Sequence, residues 1–237
     1  MNKKRLQSFI QKYYLNGLVE GTAIVCKDSS IQTDFITEDR SMMGHVKYND
    51  VSIENGTYGI FDTTMFSRML SVLDSNMDIH VVKIDDKPIN LSMQSNGTVV
   101  TALLADLSVI PDVPKLQKIP EFGLKVKLTD DFVNTYIKSK TALPEADTFT
   151  ILPDATCKFV LGMSNTNTNR ISIPVKAEIS DPLMEQKVVN ANVFKELLTC
   201  NRESEGIAEL SDAGLLRVTF QTNDYTATYY MKTLENE

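Results

Sequence analysis

A phenylalanine at the centre of a short amphipathic segment recurs four times at nearly even spacing. This repeat restricts the fold more than any other feature of the chain. Phe9, Phe66, Phe132 and Phe194 lie 57, 66 and 62 residues apart. They anchor LQSFIQKYYL (6–15), TTMFSRMLSVL (63–73), TDDFVNTYIKSK (129–140) and NANVFKELLTCN (190–201). Apolar residues recur in each at i, i+3 and i+4, as in Phe66, Met69, Leu70 and Leu73, the spacing of one helix face. Thr63, Thr129 and Asn192 are candidate N-caps, and Asp130 and Asp131 suit a first helical turn. A period of about 60 residues with the same helix each time implies four copies of one supersecondary unit.

Between the helices the chain reads as β-structure. Strands are expected at 22–26, 31–37, 78–83, 89–94 and 98–104, then at 149–152, 157–161, 170–175, 207–210, 215–220 and 225–231. Ser95-Asn96-Gly97 is a hairpin turn signal, and Asp85-Asp86, Ala213-Gly214 and Asn223-Asp224 mark further turns. The stretch IPDVPKLQKIPE holds Pro111, Pro114 and Pro120, which exclude helix and central strand. It falls at the midpoint. The plan is therefore an N-terminal domain over 1–110, an extended connector over 111–121 and a C-terminal domain over 122–237.

Chemistry is harder to find. His45 and His80 stand alone in sequence, and His80 sits in a strand pattern. No phosphate-binding loop, nucleophile elbow or zinc-protease motif is present. Asp85-Asp86 and Asp130-Asp131 suit a turn and a helix start better than a metal site. An enzyme is the least favoured class, and no metal or other cofactor is expected. Cys26, Cys157 and Cys200 are odd in number and widely spaced, which favours a reducing, cytoplasmic setting. The basic start Lys3-Lys4-Arg5 is followed by Gln7, Ser8, Gln11 and Lys12, not by a signal-peptide core. No apolar run approaches the ~18 residues of a membrane span, so no membrane partner is expected.

Charge is unevenly placed. The chain carries a net −7, with 24 Lys+Arg against 31 Asp+Glu. Yet residues 3–14, 63–73, 130–140 and 191–202, which cover the helical segments, hold nine basic residues, Lys3, Lys4, Arg5, Lys12, Arg68, Lys138, Lys140, Lys195 and Arg202, against Asp130, Asp131 and Glu196. The rest of the chain holds 15 basic and 28 acidic residues. Lysine and arginine are also good helix formers that solvate exposed faces. On one side of a continuous sheet, however, such helices would present a basic surface suited to phosphates rather than to base sequence.

YGIFDTTMFSRMLSVLDSNMDIHV (58–81), LTDDFVNTYIKSKTALPEADTFTI (128–151) and VVNANVFKELLTCN (188–201) resemble the strand–helix–strand units of DNA sliding clamps, the polymerase processivity factors. The pattern is most similar to clamps of T4-like bacteriophages, which share the trimeric ring of the eukaryotic clamp. The resemblance implies an α+β, two-domain sliding-clamp fold of four helix-plus-strands repeats, with helices on one face of the sheets. It implies a homotrimeric ring around double-stranded DNA, closed by strand 98–106 of one subunit against 168–175 of the next. It also implies a replicative DNA polymerase and an ATP-driven clamp loader as partners, and the host cytoplasm as location if the source is a phage. The nine basic residues would face DNA without sequence preference. Leu116, Ile119 and Pro120 on the connector, Met43 and His45 on a nearby loop, and Tyr230 and Met231 near the C-terminus would form a partner pocket. A monomeric factor holding DNA directly, and a β-rich structural or adaptor protein, are the alternatives.

Overall fold

In the computed structural model, which describes residues 2–154, 156–163, 168–180 and 185–234, each helix begins on a side chain that takes a backbone N–H. Helix α1 (Lys3–Tyr14) is capped by Asn2, whose Oδ1 accepts from Lys4 N at 2.9 Å. Strands β1 (Thr22–Lys27), β2 (Ser30–Ile36), β3 (Met42–Tyr48) and β4 (Gly56–Ile60) follow. Helix α2 (Thr63–Ser71) is capped by Asp62, and strands β5 (Asp78–Ile84), β6 (Lys87–Ser95) and β7 (Thr98–Leu103) complete the first half.

The second half repeats the order. Strand β8 (Leu124–Leu128) leads into α3 (Asp130–Ala142), capped by Thr129. Strands β9 (Thr148–Leu152), β10 (Lys158–Leu161), β11 (Ile171–Pro174), β12 (Ala177–Ile179) and β13 (Lys187–Asn190) lead to α4 (Ala191–Cys200), capped by Asn190. Strands β14 (Gly206–Leu210), β15 (Leu215–Gln221) and β16 (Tyr225–Lys232) close the chain. The chain divides into two units, Met1–Pro114 with Asn223–Ala227, and Lys115–Thr222 with Thr228–Glu237.

Two expected caps shift by one or two residues. Thr63 lies inside α2, where its buried hydroxyl donates to the Glu20 carbonyl at 2.7 Å, and the carboxylate of Asp62 takes Met65 N instead. Asn192 lies in the first turn of α4 and donates to Asp147 Oδ1, while Asn190 accepts from Asn192 N and Val193 N at 3.0 Å. A carboxylate or amide just outside the first turn reaches the N2 and N3 amides, so it takes the cap.

The strands described within each unit pair antiparallel. In the first unit β4-β1-β2-β3 form one array and β5-β6-β7 another. In the second, β12-β8-β14-β15-β16 and β11-β10-β9-β13 do the same. Two-residue turns at Asp28-Ser29, Asp85-Asp86 and Asn96-Gly97 all have positive φ, the twist that suits a tight hairpin. Strands β3, β4, β8, β12 and β13 lie outside the ranges expected from the residues alone. In β3 the inward positions are Met42, Gly44, Val46 and Tyr48, and Gly44 breaks the apolar alternation. It is glycine because a Cβ there would overlap the Phe35 ring packed across it.

The cores sit between helices and sheets. In the first unit Phe9, Tyr13, Phe35 and Leu70 are buried, with Phe9 edge-on to Tyr48 and Tyr48 stacked on Tyr225 at 4.9 Å. In the second, Phe194 meets Tyr136 and Phe149 at 4.9 Å each, and Phe159 closes the group. All four phenylalanines of the repeat are buried. Burying one such ring contributes roughly 1.5–3 kcal/mol.

Candidate nucleic-acid interface

The exposed helix faces carry fewer available cations than the sequence implies. Lys4, Arg68 and Lys138 are exposed and, among the described residues, form no ion pair. Lys195 is half-buried with its ammonium 3.8 Å from the Glu196 carboxylate. Arg202 is exposed and donates from Nη2 to Asn134 Oδ1 at 2.7 Å, a neutral partner that leaves its charge in place. Between these cations the faces show hydroxyls and amides, including Gln11, Ser67, Thr135 and Asn192.

Two of the nine are not on a solvent face. Lys12 is completely buried, with Nζ 4.4 Å from the centroid of the Tyr225 ring. Lys140 is 4% exposed and donates to the Pro144 carbonyl at 2.8 Å, which ties down the chain just after α3. Neither presents its charge to a ligand. The signal lay in helical spacing. Lys12 is three residues after Phe9, and Lys140 is four after Tyr136, so both share the apolar stripe. Lysine tolerates such a place because its methylene stem packs while its ammonium reaches a partner.

Two more are occupied by structure. Lys3 Nζ donates to the carbonyls of Ser71 and Leu73, at the C-terminal end of α2 where a cation is favoured. Arg5 is held by Asp224 at 2.7 Å and Asp50 at 3.8 Å, two carboxylates that cancel its charge locally. Within the first unit α1 is thus fastened at both ends. Tyr14 and Thr64 add a hydroxyl–hydroxyl bond of 2.7 Å between α1 and α2.

The expected partner pocket is dispersed over several elements. Met43 and His45 lie on β3, not on a loop, and both are half-buried; His45 Nδ1 is 2.8 Å from Asp34 Oδ1 across the β2–β3 pair. Leu116 and Ile119 are exposed in the irregular stretch, at 37% and 45%, beside half-buried Pro120. Tyr230 is half-buried on β16. Met231 is 1% exposed and belongs to the core, so it cannot wall a pocket.

Sequence reasoning missed a surface of a different kind. Strand β7 is an edge of its array, and its outward face carries two exposed apolar side chains on either side of Thr101: Val99 is 56% exposed and Leu103 80%. Phe61 and Met65, 63% and 53% exposed, border the same cavity of about 400 Å³ at the start of α2. The signal was the run TVVTALL, apolar on both faces of one strand, which a half-solvated edge does not need. In the second unit β11 is likewise an edge. It borders a groove of about 950 Å³ that includes Phe132, Ile173, Pro174 and Ile207. After β7 the chain is pinned by Lys87. Its hydrogen bond at 2.6 Å holds the Asp106 carboxyl well below the usual carboxylate range.

Among the described residues, no group of three or more His, Cys, Asp or Glu side chains could hold a metal ion. No helix among them is long and apolar enough to cross a membrane. By sequence, no family model and no curated protein matches the chain. Solved structures do match. The crystal structure of proliferating cellular nuclear antigen from Entamoeba histolytica aligns with TM-score 0.73 at 14% identity, over 99% of this chain and 96% of that one. A PCNA2–PCNA3 complex from Sulfolobus tokodaii aligns with TM-score 0.75 at 13% identity, over 98% and 97%. The chain has the α+β clamp fold of these proteins along nearly its whole length.

Proposed function

We propose that this protein is a non-enzymatic sliding clamp whose copies close head-to-tail into a ring around duplex DNA and tether a replicative polymerase. The observation that carries the proposal is a pair of sheet edges, unpaired among the described residues, on one clamp-fold chain. One edge is β7 with exposed Val99 and Leu103; the other is β11 beside a groove lined by both apolar and charged residues. Two unlike edges on the same chain make a heterologous contact, which generates a ring if the rotation closes. The likeness to a solved complex of two clamp-fold proteins supports association through this fold. Three copies is the number implied by the sequence resemblance, as are the T4-like phage type and the loader.

Retention in such a ring is topological, so each phosphate contact can be weak. The exposed cations Lys4, Arg68 and Lys138, set among hydroxyls and amides, suit that demand. Exposed Leu116 and Ile119 supply apolar anchors on which a polymerase segment docks.

Sedimentation tests the ring. We expect a mass of about three times 26.5 kDa. Phe61→Asp with Leu103→Asp should reduce it to that of one chain without loss of secondary structure, because both side chains are exposed. A single-chain mass at every concentration, in the presence and absence of DNA, rules the ring out. Leu116→Asp with Ile119→Asp should abolish polymerase binding and leave the mass unchanged.

A further inference from the structure

The two units treat one strand of the repeat differently. In the second unit β14, the strand after α4, is covered along one side by β8, paired antiparallel from Leu124↔Leu210 to Leu128↔Gly206. The inward residues of both strands are buried: Leu124, Val126 and Leu128 on β8, and Gly206, Ala208 and Leu210 on β14. In the first unit β5, the strand after α2, pairs with β6 on one side and is the edge of its array on the other. The chain entering α1 meets the line of β5 only at an isolated bridge between Asn2 and Asn76.

The uncovered edge shows in its side chains. Ile79 and Val81 lie opposite Met93 and Leu91 and share their face. Met93 and Leu91 are buried, whereas Ile79 and Val81 are only half-buried. On the other face Val82 and Ile84 are exposed. Such an edge offers a row of backbone N–H and C=O groups to another chain. The ladder with β6 is regular from Asp78 to Val82 and shifts register after it. That leaves a straight edge of five residues, as many as β8 pairs with β14.

Charge selects what can lie there. Asp78 opens β5 and Asp85-Asp86 follow its last residue; all three are exposed and, among the described residues, form no ion pair. Two of the neighbouring cations are already held, Lys83 by Glu54 and Lys87 by Asp106, and His80 is exposed on the strand. The strand that fills the matching place in the second unit reads Leu-Lys-Val-Lys-Leu. Its apolar residues face the core, and its lysines meet Glu178 at 3.9 Å and Glu205 at 2.7 Å.

We propose that the free edge of β5 takes an added β-strand from a partner protein, an extended segment in which apolar residues alternate with lysine or arginine. Main-chain hydrogen bonds to β5 supply the attraction, and the alternating side chains supply the choice of partner. The apolar side chains cover Ile79 and Val81; the basic ones lie toward Asp78, Asp85 and Asp86. A second copy of this chain fits the edge poorly, because pairing β5 with β5 antiparallel brings the aspartates of both strands together. The site is distinct from β7, on the opposite side of the same array, and does not rest on the ring.

The test is residue-resolved hydrogen exchange of the full-length protein, with and without a millimolar peptide of the sequence of residues 123–129, GLKVKLT. The peptide should slow exchange several-fold at outward amides within Asp78–Val82 and leave β7 and β11 unchanged. Replacing both peptide lysines with glutamate, or N-methylating the peptide backbone, should abolish the effect. Asp78→Lys combined with Asp85→Asn and Asp86→Asn should weaken peptide binding several-fold. Asparagine keeps the turn because, like aspartate, it tolerates the positive φ found at both positions. The proposal is overturned if no protection appears on β5, or if it appears on β7, β11 or β14 instead. It also falls if the glutamate peptide protects β5 as well as the lysine peptide does. Protection of β5 that rises with protein concentration in the absence of peptide would assign the edge to a second copy and overturn the proposal too.

Discussion

Both units pack aromatic rings against their helices, and the first adds charge. In the first, α1 is fastened by charge. Lys3 reaches the end of α2, Arg5 binds two aspartates, and Lys12 is sealed against Tyr225. In the second, α3 and α4 share a ring cluster in which Tyr136, Phe149, Phe159 and Phe194 touch one another at centroid distances of 4.9–6.2 Å. The first unit uses Lys3, Arg5 and Lys12 in this way and still leaves Lys4 and Arg68 exposed; the second leaves Lys138 and Arg202 exposed. Basic residues counted along a helix therefore overstate the basic surface by an amount that depends on how that helix is held.

The largest expected effect tests the aromatic side of this contrast. Phe194→Ala removes the ring that meets Tyr136, Phe149 and Phe159 and should destabilise the second unit by about 3–5 kcal/mol. Denaturant unfolding followed by hydrogen exchange would place the loss in residues of the second unit. Comparable loss of protection throughout both units would show that the two do not unfold as separate bodies, and the contrast would lose its meaning.

Next comes the charge side. The same substitution at two lysines should give opposite results. Lys12→Glu buries a carboxylate against the Tyr225 ring and should cost about 3–5 kcal/mol, as an uncompensated buried charge does. Lys138→Glu, on an exposed face, should change stability by about 0.5 kcal/mol or less while impairing DNA attraction. Lys12→Met separates packing from charge: a near-neutral outcome assigns the role of Lys12 to its stem. A smaller effect belongs to Arg5→Ala. Its partners are well exposed, so the loss in melting experiments should be about 0.5–1 kcal/mol.

The repeat and the hairpins were legible because they depend on local rules. The phenylalanine stripe, the Asn96-Gly97 and Asp85-Asp86 turns and the proline stretch each carry their own signal. Strand β3 was not legible, since the residue that breaks its alternation, Gly44, answers to a ring nine positions earlier in sequence and across a strand pair. The basic surface was half legible. Helical spacing from Phe9 and Tyr136 marks Lys12 and Lys140 as inward, and it was outweighed by the assumption that lysine is exposed. The capture of Arg5 by Asp224, and the aiming of Arg202 by Asn134, join residues 219 and 68 positions apart, and no local pattern announces them.

Alkaline pH offers the mildest probe of the same contrast, since each unit buries a thiol with a displaced pKa. Burial pushes Cys26, in the first unit, from an ordinary value of 9.0 to about 12. Burial and then the Asp154 charge push Cys157, in the second, to about 11. A thiol whose folded value is raised contributes stability that is fully present below its unfolded value. That contribution is lost as pH rises through the folded value, because the unfolded chain releases a proton the folded chain retains. Melting temperature should therefore decline from about pH 9 upward. Cys26→Ala and Cys157→Ala should each cost stability at pH 7 and each make the decline between about pH 9 and pH 11 shallower. Above about pH 11 the Cys157 contribution is spent while that of Cys26 continues, so only Cys26→Ala should still flatten the curve there. A decline unchanged by Cys26→Ala would mean that the folded first unit does not hold this thiol above its ordinary value.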